Sequence, residues 1–176
     1  MNIIHKSKYN TKNIIIINKS GYLKYKNLKF RCALGKAGIG NKKIEGDNVT
    51  PRGVYKIIKI YFRKDRIRSI ATEYKLIKIT KKMGWCDDPK SKKYNQKIKI
   101  PTSYSYERLY RKDNIYDLIL VISYNINPIV KKKGSAIFIH IAKKNYQPTQ
   151  GCIALKKGNL IKLISKIKKD TKIRIN

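Results

Sequence analysis

Acidic side chains are scarce in this 176-residue chain: ten Asp and Glu stand against 43 Lys and Arg, a formal net charge of +33. Alanine is rarer still, at six residues, while lysine reaches 35 and isoleucine 31. The cationic excess runs evenly from end to end, as an AT-rich coding sequence produces, and forms no basic arm. It fits general attraction to anionic polymers and not a specific nucleic-acid reader. Two histidines, His5 and His140, and three cysteines, Cys32, Cys86 and Cys152, are too few and too scattered for a dedicated zinc site or a disulfide scaffold, and no C-x-x-C occurs. No metal or other cofactor is expected. The longest apolar runs, 14–17 and 118–122, fall far short of the roughly 20 residues that a membrane helix needs. The first of them is also too short for the hydrophobic region of a recognisable signal peptide.

Hydrophobic residues still make up 41% of the chain, enough to bury a core, and the length suits one domain over 1–176. Residues 1–27 form a candidate extension of its sheet, with NIIIIN and the segment around Gly21 read as two short strands. Strand patterns continue through 24–34, 54–62, 74–80, QKIKI at 96–100 and the apolar run 118–124. Thr50-Pro51-Arg52-Gly53 carries the residue preferences of a type I turn. Residues 81–95 look turn-rich, and 105–117 suits a short helix or loop. One amphipathic helix is expected after Cys152, where Leu160, Leu163, Ile164 and Ile167 recur at i, i+3, i+4, i+7, followed by a last strand at KIRI.

The stretch 136–155, AIFIHIAKKNYQPTQGCIAL, concentrates the chemistry. Alternation places Phe138, His140 and Ala142 on one face of a strand and Ile137, Ile139 and Ile141 on the other. A lone histidine in a strand is commonly a structural residue, but here a loop follows and delivers Cys152 behind Gly151. Only the thiolate of a cysteine is a good nucleophile, so a nearby imidazole that takes the proton would activate it. The backbone N–H groups of Gly151 and Cys152 are natural oxyanion donors. Lys143, Lys144, Lys156, Lys157 and the start of the following helix are expected to favour the thiolate. Cys32 and Cys86 suit either a disulfide or two small buried hydrophobes. Seven of the ten acids (Glu45, Asp47, Asp87, Asp88, Glu107, Asp113, Asp117) lie in turn-rich segments, where bracing turns is their ordinary job and lining a site the alternative.

TPRGVY at 50–55 and H-x(11)-C between His140 and Cys152, with CALG, GWCDDP and GSAIF in order around them, resemble the L,D-transpeptidase catalytic domain family, the YkuD fold. The resemblance spans residues 31–164. It implies a mainly β fold, an L,D-transpeptidase-like β-sandwich of mixed strands with one or two short helices. It also implies a cysteine-dependent acyltransferase acting on peptidoglycan stem peptides in the periplasm or cell envelope, as a monomer. Carried over by position, Cys152 is the nucleophile, His140 the general base, and Gly151 the glycine before the nucleophile whose region forms the oxyanion hole. Thr149 occupies a Ser/Thr position. Gln150 replaces the family's histidine beside the glycine, Ala154 stands where Arg or Asn is frequent, and the His-to-Cys interval is short. Thr149, Gln150, Arg111 and Arg52 are the candidate substrate-binding residues, the arginines because guanidinium pairs carboxylates bidentately. A hydrolase on the same scaffold, an L,D-carboxypeptidase or endopeptidase, and a non-enzymatic basic module are the alternatives.

Overall fold

Alternating apolar side chains build most of the strands in the computed structural model, which describes residues 13–176. His5 and the start of the expected N-terminal extension lie outside the described residues. The strands are β1 (Ile14–Asn18), β2 (Tyr22–Tyr25), β3 (Leu28–Ala33), β4 (Ile39–Gly40), β5 (Thr50–Pro51), β6 (Gly53–Phe62) and β7 (Leu76–Lys78). Next come β8 (Met83–Cys86), β9 (Lys97–Lys99), β10 (Tyr106–Arg108), β11 (Leu118–Ile122), β12 (Phe138–Ile141) and β13 (Ile153–Leu155). Helix α1 (Lys157–Ile164) and β14 (Lys172–Ile175) complete the mainly β fold that the sequence predicts.

Nine strands form one mixed sheet in the order β11-β12-β13-β3-β2-β1-β14-β6-β7, and β6 pairs with β11 as well. Two strands divide their pairing. Residues 53–56 of β6 bond to β14 and 57–62 to β11, with a register shift between Val121 and Ile122. Residues 28–31 of β3 bond to β2 and 32–33 to β13. Strands that change partners part-way fold a sheet back on itself as two layers. Ile15, Ile17, Leu23 and Ile173 from one layer meet Leu118, Leu120, Ile139 and Ile153 from the other in a single buried cluster. Leu160, Leu163 and Ile164 of α1 join it. Each such side chain, removed from water, contributes about 1.5–3 kcal/mol.

The strand β11 is buried along its whole length, and the reason is a second cover. A three-stranded sheet in the order β10-β8-β9 supplies it. Trp85, Leu109, Ile115 and Tyr116 pack there against Tyr61, Ile119, Val121 and Phe138 on the outer face of β6, β11 and β12.

Three local expectations are corrected. Thr50-Pro51-Arg52-Gly53 is extended and not a turn: Thr50 and Arg52 donate their N–H groups to Gly38 O (2.9 Å) and Gly40 O (2.8 Å), which outweighs the turn preference of the sequence. Residues 24–34 break into a hairpin at Lys26, whose φ is +51°. MGWC is strand β8, and 106–108 is strand β10, because each completes the other's hydrogen bonds. Of the two readings of Cys32 and Cys86, the structure has the buried hydrophobes: both are free, buried thiols.

Candidate active site

Strands β12 and β13 run parallel with Ile139 opposite Ile153 and His140 opposite Ala154. Side chains alternate between faces, so Ala154 and, two residues earlier, Cys152 share the outer face with Phe138 and His140. One strand spacing across and two residues along separates the Cys152 and His140 backbone positions by about 8 Å. Both side chains line one cavity of about 780 Å³.

The sulfur is held by main chain. Phe138 N–H donates to Sγ at 3.3 Å, and the thiol donates to Ala136 O at 3.1 Å. Ala136 sits at φ +51°, an uncommon conformation for a residue with a Cβ. Its N–H donates to Asn95 Oδ1 at 3.0 Å, and that oxygen also accepts Trp85 Nε1–H at 2.9 Å. The carbonyl facing the thiol is therefore fixed by side chains of the β8 to β9 region, a connection invisible in the sequence.

His140 is buried, with only 6% of its surface exposed. Its Nδ1 lies 2.9 Å from Ile141 O, and since a carbonyl only accepts, Nδ1 carries the proton and Nε2 keeps a free lone pair. Burial pulls the imidazole down from 6.5 to about 4, with Arg111 and Lys143 pushing the same way, so it is a neutral base near pH 7. Tyr116 packs edge-on against it at 5.3 Å between ring centroids and donates its hydroxyl to Glu107 Oε2 at 2.6 Å.

Burial acts on Cys152 in the opposite sense, raising the thiol from 9.0 to about 12, and Glu107 raises it further against the opposing Phe138 N–H and Lys42. The resting pair is thus neutral thiol and neutral imidazole. The thiolate support expected from nearby lysines and the helix start is not what the fold provides. Lys157 turns toward Arg66 O (3.3 Å) and Asp117 (3.9 Å). Helix α1 begins beyond the far end of β13, about 10 Å of strand past Cys152.

The turn before Cys152 is tightly braced. Gly151 has φ +129°, and a Cβ there would come within 2.9 Å of Val49 O. Its N–H donates to Thr149 Oγ1 at 3.1 Å, and the Thr149 hydroxyl donates to Cys152 O at 2.6 Å. Thr149 also bonds through its backbone to Leu34 O and Lys36 N, each at 2.9 Å. The buried Thr50 hydroxyl accepts Gly35 N–H at 2.7 Å, which ties the TPRGVY motif to the same loop. A Cβ at Gly35 would lie 2.2 Å from Asn48 O, so only glycine allows this approach.

Of the other candidate residues, Thr149, Gln150 and Arg111 line the cavity. Arg111 already holds Asp113 through Nε and Nη2 at 2.9 and 2.8 Å. Arg52 is exposed and is not among the cavity's lining residues. Reading the sequence did not single out Tyr116 and Ser135, and for Glu45, Asp87 and Glu107 it offered lining a site only as the alternative to bracing turns; all five line the cavity. The concentration of acids in turn-rich segments was the available signal, and it splits. Asp47, Asp88, Asp113 and Asp117 brace backbone or pair with cations, while Glu45, Asp87 and Glu107 line the cavity.

A family model described as the L,D-transpeptidase catalytic domain matches residues 12–175. No curated protein sequence matches the chain. Among solved structures, the crystal structure of Mycobacterium tuberculosis L,D-transpeptidase 1 aligns with 12% identity and a TM-score of 0.39, over 92% of this chain and 60% of that one.

Proposed function

The chain belongs to the L,D-transpeptidase catalytic domain family, and from that premise we propose that it is a cysteine acyltransferase of peptidoglycan stem peptides working at the cell envelope, with 1–176 as one catalytic domain. The observation that carries the reading is the parallel register of β12 and β13, which turns Cys152 and His140 to the same face and the same cavity. A substrate carbonyl enters beside Cys152. The thiol releases Ala136 O, its proton passes to Nε2 of His140, and sulfur attacks the carbonyl carbon of an L-centred residue. The Cys152 N–H stabilises the oxyanion, Gly151 N–H being engaged by Thr149. His140 then protonates the departing D-alanine amine and the C–N bond breaks, leaving a thioester. The amine of a second stem attacks it, gives its proton to His140 and frees the thiol.

Desolvation makes both partners neutral at rest, so proton transfer accompanies attack instead of preceding it. Intact-mass measurement after incubation with a carbapenem tests the assignment. One adduct is expected on the wild-type chain, mapping to Cys152 and absent from Cys152→Ala. An adduct of equal yield on Cys152→Ala would overturn it.

A further inference from the structure

The two outer faces of the layered sheet are chemically unlike. The outer face of β11 and β12 is covered by the three-stranded sheet and carries the cavity of Cys152 and His140. The opposite outer face belongs to β1, β2, β3, β14 and the first half of β6. Along these strands Ile15, Ile17, Leu23, Phe30 and Ile173 point into the buried cluster, so by alternation the residues between them point outward. These five strands contain no Asp or Glu.

Register lays the outward side chains in rows. One row runs across four strands as Lys24, Ile16, Arg174 and Val54. Lys24 also stands directly opposite Lys29, although like charges so placed repel each other. Lys56 and Ile58 continue the face along β6. None of the ion pairs among the described residues reaches Lys24, Lys29, Lys56 or Arg174.

A second observation concerns apolar surface. Seven large apolar side chains are exposed among the described residues, and four of them, Ile16 (37%), Tyr22 (37%), Val54 (54%) and Ile58 (38%), lie on this one face. Exposed apolar side chains are ordinary when scattered and informative when they share a surface. The mixture narrows the partner. A hydrophilic polyanion would match the cations and leave Ile16, Val54 and Ile58 in water. A second copy of the same face would match the apolar surface and set cation against cation. An anionic lipid bilayer meets both, because long basic side chains splay to headgroup phosphates while the apolar ones between them reach the acyl boundary.

We propose that this face docks the protein on an anionic lipid bilayer. The cavity of Cys152 and His140 lies on the other outer side, so a docked molecule turns it away from the lipid. Docking does not depend on the catalytic reading, and Cys152→Ala should bind as the wild type does.

Co-sedimentation of the full chain with vesicles of equimolar phosphatidylglycerol and phosphatidylcholine tests it, against vesicles of phosphatidylcholine alone. Binding is expected to the first and not to the second. The Lys24→Gln/Lys56→Gln/Arg174→Gln variant should bind about 10²-fold more weakly, each basic residue near an anionic surface being worth about fivefold. The Ile16→Thr/Val54→Thr/Ile58→Thr variant keeps every charge and should lose about tenfold. Lys92→Gln/Lys97→Gln/Lys99→Gln, on and beside β9 in the three-stranded sheet, should bind as the wild type does. Lysine acetylation of the wild-type chain, read by mass spectrometry, checks the face without any variant: vesicles should protect Lys24, Lys29 and Lys56 and not Lys92 or Lys97. Equal losses in the two charge variants, or uniform protection, would mean that overall charge alone is at work. Undiminished binding by the apolar variant would mean a site for a hydrophilic polyanion, and dimers in light scattering that the apolar variant abolishes would mean self-association. Each of these results would overturn the docking.

Discussion

Ile139 and His140 are neighbours on β12, both buried, and they belong to different halves of the molecule. Ile139 faces the apolar cluster between the two layers, where Ile and Leu supply most of the side chains, with Tyr25, Phe30, Cys32 and Phe62 among them. His140 faces the outer side, where aromatic rings, carboxylates and a thiol surround a cavity. The contrast shows how one strand separates folding from chemistry. The inner face needs only volume and apolarity, whereas the outer face sets polar and titratable groups around a cavity.

Substitutions at these adjacent positions should behave oppositely. His140→Gln should slow carbapenem acylation by about 10²–10⁴-fold, the usual worth of a general base, with little change in thermal midpoint. Ile139→Ala should cost about 2–5 kcal/mol of stability from the cavity it leaves, with acylation by the folded fraction largely intact. Denaturant titration with acylation kinetics on both variants checks the pair. If Ile139→Ala silenced the thiol while stability held, the division between the faces would fail.

A smaller effect sharpens the same comparison through pH. The unfolded imidazole titrates at 6.5 and the buried one at about 4. As pH falls, the unfolded chain takes up the proton first, so the His140 contribution is complete above 6.5 and is lost between 6.5 and 4. It amounts to about 3 kcal/mol by linkage. Urea unfolding across that window should show the loss, and His140→Gln should remove it.

The inner face was the more legible half. Alternation in AIFIHIA assigned every side chain of β12 to its face, and the spacing of Leu160, Leu163 and Ile164 marked the helix, because both periods are local properties of the chain. Ordered motifs from CALG to GCIAL pointed to the family. What stayed hidden depends on distant partners. Strands β8 and β10 exist because they pair with each other, and TPRG is extended because residues 38 and 40 accept its N–H groups. The lysines beside Cys152 in sequence were expected to support its thiolate, yet the fold turns Lys157 toward Asp117 and brings the field of Lys42 to the sulfur. Which acids brace and which line the cavity was likewise decided by the cations that tertiary structure brings close.

The central claim is that a neutral, desolvated His140 takes the proton of Cys152 during attack. The pH dependence of kcat/KM for carbapenem acylation tests it most directly. The account predicts a rate that rises through a single acid limb near pH 4, set by the buried imidazole, and then holds level through neutrality. A rate that instead climbed in proportion to hydroxide across neutral pH, unchanged in His140→Gln, would mean free thiolate attack and would contradict it.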